Sequence, residues 1–157
     1  MKAKTILLGS AIIIATATTA FCGYIAKRAA QFENSLDQTD GSLDECAICS
    51  GRNKIINDVN MRDMKLGAFC GSINADLSNI KTDRKQYDLD IEVQSGFIGV
   101  TIPEIFQVDF TNHNCYGAVI DRTIHLNDAD KILLSVNAKV NCGVIVFKNS
   151  LLNNVLE

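Results

Sequence analysis

Phe69-Cys70-Gly71-Ser72-Ile73-Asn74-Ala75 is one copy of a short pattern that decides how this chain is read. An apolar or thiol side chain precedes a small residue, and a β-branched run then begins. Further copies are Ile48-Cys49-Ser50-Gly51-Arg52-Asn53-Lys54-Ile55, Phe97-Ile98-Gly99-Val100-Thr101-Ile102, Cys115-Tyr116-Gly117-Ala118-Val119-Ile120 and Asn141-Cys142-Gly143-Val144-Ile145-Val146. The small residue falls at 50, 71, 99, 117 and 143, in steps of 21, 28, 18 and 26 residues. Repeats of about this length imply units that bury their faces against one another. If stacked units bend at one corner, that corner wants a residue without a Cβ. Gly51, Gly71, Gly99, Gly117 and Gly143 are therefore the expected structural turn glycines.

Alternation supports the same fold class. Tyr87, Leu89, Ile91 and Val93 share one face of a strand, and Asp88, Asp90 and Glu92 share the other. Leu134, Val136, Ala138, Val140 and Cys142 alternate with Ser135, Asn137, Lys139 and Asn141. Period-two patterns of this kind are half-buried strands. Turns are expected at Asn57-Asp58, 81–85, 111–114 and 127–130. The expectation is an all-β domain, stacked and solenoid-like, with glycine-marked turns.

Ahead of it lies a different composition. Ile6 to Ala26 carries no charge, with Lys2 and Lys4 before it and Lys27 and Arg28 after. A helix of about 20 such residues matches the hydrocarbon thickness of a bilayer. A single N-terminal transmembrane helix fits this span better than a cleavable signal peptide. The signal peptide would take Ile6–Ile14 as its core and Ala15-Thr16-Ala17 as its cleavage site. Counting lysine and arginine, the two flanks tie, so charge does not orient the helix. The expected organisation is an anchor at 1–26, a polar linker at 27–45, the β domain at 46–149 and a tail at 150–157.

A net charge of −3 lacks the basic footprint of a nucleic-acid binder. There are six cysteines: Cys22, Cys46, Cys49, Cys70, Cys115 and Cys142. Cys46-Ala47-Ile48-Cys49 has the spacing of a redox pair or half a zinc site. No helix pattern follows it, and no second pair of Cys or His supplies the remaining zinc ligands. Cys49, Cys70 and Cys142 recur in the slot before the small residue, where Ile98 and Tyr116 also stand. That slot reads as buried apolar packing, with a thiol site at Cys46 and Cys49 as the alternative. Many unbridged thiols favour a reducing compartment and so the cytoplasmic side. His113 and His125 have no nucleophile or carboxylate at a telling spacing, so no triad is expected. No phosphate loop or dinucleotide fingerprint occurs, and no cofactor is expected.

Four segments in order carry a resemblance. They are Ile48–Ile55, then Leu66–Leu77 with its Asp76-Leu77 ending. Ser95–Pro103 follows with Ile102-Pro103, and then Val140–Val146. Over 46–149 these resemble the C-terminal domain of LiaF-type proteins of Gram-positive bacteria, the cell-wall-active antibiotics response family. The chain departs from that family in having one candidate membrane helix and in placing cysteine at three usually aromatic or aliphatic positions. The resemblance implies a membrane-attached, non-catalytic regulator or interaction module in cell-envelope stress sensing. Its partner would be a sensor kinase or another membrane protein. The competing reading is a structural β polymer of the bactofilin type, also a glycine-punctuated stack held at membranes.

Overall fold

The computed structural model of the protein describes residues 2–36, 43–114, 116–124 and 131–150. The chain divides into two compact units, 1–34 and 35–157. The first is one helix, α1, spanning Lys2–Glu33. It runs without a break past position 26, so the first part of the expected polar linker is helical. Among the described residues no helix is long and apolar enough to cross a membrane.

The second unit is a sheet of eight strands among the described residues. They are β1 (Glu45–Ile48), β2 (Gly51–Asn60), β3 (Met64–Lys81), β4 (Gln86–Ile102), β5 (Phe106–Asn114), β6 (Ala118–Arg122), β7 (Ile132–Val140) and β8 (Gly143–Asn149). Every pairing is parallel. Parallel neighbours cannot be joined by a tight hairpin and need a long connection. Here the connection is itself a strand. The chain runs along one segment, turns a corner, and runs along a second before the next turn begins.

Two ladders result. The first aligns β1, the first half of β3, the first half of β4, β7 and β5. The second aligns β2, the later halves of β3 and β4, β8 and β6. One tier is thus β1 with β2, the next is β3, then β4, then β7 with β8, and last β5 with β6. Tier order is not chain order. Gln86 to Val93 of β4 pair with Leu133 to Val140 of β7, and β5 lies on the far side of β7.

The inward columns are the core. Met64, Leu89 and Val136 stack in register, as do Leu66, Ile91 and Ala138, and Ile73, Ile98 and Ile145. All nine are at most 2% exposed. Burying each large aliphatic side chain contributes about 1.5–3 kcal/mol before the entropy of ordering it. The ladders meet through their interiors: the rings of Phe110 in β5 and Phe147 in β8 pack edge to face at 5.1 Å. Outward residues of β4 such as Asp88 and Asp90 are exposed, as alternation demands.

The expected turn at 81–85 joins β3 to β4. It is built on Tyr87, whose hydroxyl accepts from the amides of Asp83 and Arg84 at 2.8 Å and donates to Asp83 Oδ1 at 2.9 Å. The Arg84 guanidinium lies over the same ring, 4.7 Å from its centroid. The expected turn at 111–114 is instead the end of β5. Polar composition there marks an outermost tier, not a loop. Asn57-Asp58 lies within β2 as an irregularity, with Asp58 at a φ of 58°. The segment 127–130 and the tail beyond Ser150 lie outside the described residues.

Candidate functional site

The glycine pattern is a physical column at the corner. Gly71 pairs with Gly96, and Gly96 pairs with Gly143. A Cβ on Gly71 would lie 2.6 Å from the Ser50 carbonyl oxygen. A Cβ on Gly117 would press on Val140 and on the Gly143 carbonyl. Gly96 and Gly143 also need glycine for conformation, with φ of 139° and 152°. Gly51 opens β2 one step past the corner, where an added Cβ would meet the Ser72 hydroxyl at an ordinary 3.4 Å.

Gly99 is not at the corner. It lies inside β4, in register with Asn74 and Val146. The corner residue of that tier is Gly96, three positions earlier. A bulge at Gln94-Ser95 shifts the register there, between Val93 and Ser95.

The slot before the small residue is not buried. Cys49, Cys70 and Cys142 are all exposed. Cys49 and Cys70 have φ of 48° and 55°. This left-handed backbone at the bend breaks the in-out alternation and turns the side chain to solvent. The true occupants of the slot are Cys49, Cys70, Ser95, Cys142 and Tyr116, and Tyr116 is 91% exposed. Cys46 is partly buried in β1, Cys22 is exposed on α1, and Cys115 and His125 lie outside the described residues. His113 is an exposed residue of β5. Among the described residues no group of three or more His, Cys, Asp or Glu side chains is placed to hold a metal ion.

Two outer faces carry continuous chemistry. On the first ladder, Asp88, Asp90, Asp109, Thr111, Ser135 and Asn137 line a shallow groove of about 220 Å³. Asn137 Nδ2 donates to Asp90 Oδ1 at 3.1 Å across two tiers. On the second ladder, a wider groove of about 720 Å³ runs over Asn53, Asn74, Gly99 and Val146, with Phe97 on one flank and Arg122 and Lys148 on the other. Asn74 donates to Asn53 at 3.1 Å, and Asn79 to Asn57 at 3.0 Å, so amides on neighbouring tiers satisfy one another.

The ends of the stack carry polar side chains at several inward positions, beside apolar ones such as Ala47, Phe106 and Val108. Glu45 and Lys54 hold the columns that Leu66 and Ala75 hold one tier on. Arg52 holds the column of Ile73. At the opposite end, Asn112 and Asp121 take the columns of Ala138 and Phe147. Sequence reasoning misses these caps because each sits within an ordinary strand pattern. Only the register exposes them.

Comparison of the chain with protein-family models, with curated proteins and with solved structures gives no match.

Proposed function

We propose that this chain is a membrane-anchored, non-catalytic interaction module built on a short β solenoid. In this reading it acts as the LiaF-like resemblance implies, by contact with a sensor kinase or another membrane protein in envelope-stress signalling. The observation that carries the proposal is the set of polar side chains at inward positions of both terminal tiers, Glu45, Arg52 and Lys54 at one end and Asn112 and Asp121 at the other. Charged or amide side chains at inward positions of an edge oppose strand addition. A discrete stack then presents its flanks, whereas an end-to-end polymer needs ends that accept a further strand. The outer face bearing Asp88, Asp90, Asn137 and Thr111 is the proposed contact surface. Membrane attachment rests on the uncharged run Ile6–Ala26.

Deletion in the native host with an envelope-stress reporter tests the regulatory reading. Altered basal or antibiotic-induced output, restored by the full chain and not by a chain reversed in charge at Asp88 and Asp90, is expected. Unchanged output on deletion, with the protein shown to be expressed beforehand, removes that reading. Filaments of the purified full chain would favour the polymer instead.

A further inference from the structure

We infer that Cys49 and Cys70 form a dithiol site across two tiers, which exchanges with small disulfides and closes into a Cys49–Cys70 bond. Ile48 pairs with Phe69 and Gly51 pairs with Ser72, both with the same offset, so Cys49 stands opposite Cys70. Hydrogen bonds bracket the pair on both sides. The Cys49 amide donates to the Phe69 carbonyl at 2.9 Å, and the Ser72 amide to the Ser50 carbonyl at 2.9 Å. Adjacent strands lie about 4.8 Å apart, inside the window of roughly 4.4–6.8 Å between Cα atoms that a disulfide requires. The near-equal φ values of 48° and 55° give the two residues the same local turn, and both side chains reach solvent. They open onto one shallow groove shared with Ser50, Gly51, Gly71, Ser72, Ser95 and Gly96, none of which is bulky enough to shield a sulfur.

Cys142 and Cys46, the other described thiols of the sheet, are excluded by the same geometry. Cys142 is exposed, but the Ser95-Gly96 tier stands between it and Cys70. Two tiers separate them by about 9.6 Å. Cys46 precedes Cys49 by three residues along extended chain, again too far for a bridge at about 3.3 Å per residue. The site is therefore a pair, and it does not use the C-x-x-C spacing.

The chemistry needs a low-molecular-weight disulfide as oxidant, such as oxidised glutathione. The thiolate of one cysteine attacks a glutathione sulfur, breaks its S–S bond and releases one glutathione thiolate. The neighbouring cysteine, losing its proton, then attacks the protein-bound sulfur of the mixed disulfide. The protein S–S bond forms and a second glutathione thiolate leaves. Two protein thiols are oxidised, one glutathione disulfide is reduced, and the two protons end on the two glutathione thiols. The product staples the terminal tier, which β3 holds on one side, to the tier beneath it.

The test uses the full chain in buffers of graded reduced and oxidised glutathione, quenched with acid, alkylated and read by intact mass and peptide mapping. A Cys49–Cys70 cross-link is expected, with Cys142 still alkylated. Cys49→Ser and Cys70→Ser should each stop at a stable glutathione adduct on the remaining thiol, and Cys142→Ser should behave as the unaltered chain does. Amides of β2 should exchange about tenfold more slowly or better in the oxidised form. A cross-link through Cys46 or Cys142, or glutathione adducts on Cys49 and Cys70 of the unaltered chain that never resolve, would overturn the proposal. Unchanged β2 exchange with the cross-link formed would overturn the stapling.

Discussion

Glu45 and Lys54 form an ion pair at 3.4 Å in positions where the adjoining tier places Leu66 and Ala75. The lysine also donates to the Asp44 carbonyl at 3.1 Å. A part-exposed pair contributes little to stability, about 0–1 kcal/mol. Its effect is on what the end of the stack can join. Replacing Glu45 by Leu and Lys54 by Val should leave the fold intact and give the terminal tier an apolar edge. Sedimentation velocity should then report concentration-dependent association of the variant, absent from the unaltered chain at equal concentration. A variant that stays discrete would remove the capping role.

The corner glycines separate from Gly99 in a simple substitution series. Gly143→Ala places a Cβ against the Gly96 backbone at a left-handed φ. It should cost on the order of 3 kcal/mol or more. The nearest atoms that Gly99→Ala meets are the Asn74 side-chain oxygen and the Phe97 ring, both at 3.0 Å, and these are side-chain and not backbone atoms. That change should cost less than about 1 kcal/mol, because glycine is itself a poor strand residue. Urea midpoints for the two variants decide the matter, and equal losses would contradict the assignment of Gly96 to the corner.

Phe147 joins the interiors of the two ladders. It is fully buried and packs on Phe110. Phe147→Ala should lower stability by about 3–5 kcal/mol. Phe147→Leu, which keeps most of the volume and loses the edge-to-face contact, should cost clearly less. Chemical denaturation of both variants measures the difference.

Charge reversal on the outer face should be quiet. Asp88 and Asp90 are exposed, and Asp90 gives up one hydrogen bond to Asn137 when replaced. Asp88→Lys with Asp90→Lys should change stability by no more than about 1 kcal/mol. A loss several times larger would mean that this face is part of the fold and unsuited to partner contact.

Much of this architecture is legible in the residues themselves. Alternation through 86–93 and 132–140 marks β4 and β7 directly, and Gly71, Gly117 and Gly143 mark the corners within β3, between β5 and β6, and between β7 and β8. The failures have local causes. Phe97-Ile98-Gly99-Val100 imitates the corner motif, while the true corner follows a bulge at Gln94-Ser95 that no composition signals. Cys49 and Cys70 stand in a slot that reads as apolar in the sequence, where Ile98 imitates a member, yet they lie at a positive-φ bend and face solvent. Tier order is the deepest omission. The spacing from β4 to β5 reads as one further turn, and nothing local says that β7 and β8 are to be laid between them.

That order has a consequence for synthesis. When β5 and β6 leave the ribosome, the strands that will hold them have not been made. Arg122 ends β6 and Asn149 ends β8, 27 residues later. At ordinary translation rates the interval is on the order of 1 to 5 s. During it Phe106, Val108 and Phe110 have no ladder partner, and the waiting flank of β4 lies open. The nascent chain is then most exposed to capture by a chaperone or by a neighbouring copy. Completion of β7 closes the first ladder, and completion of β8 closes the second.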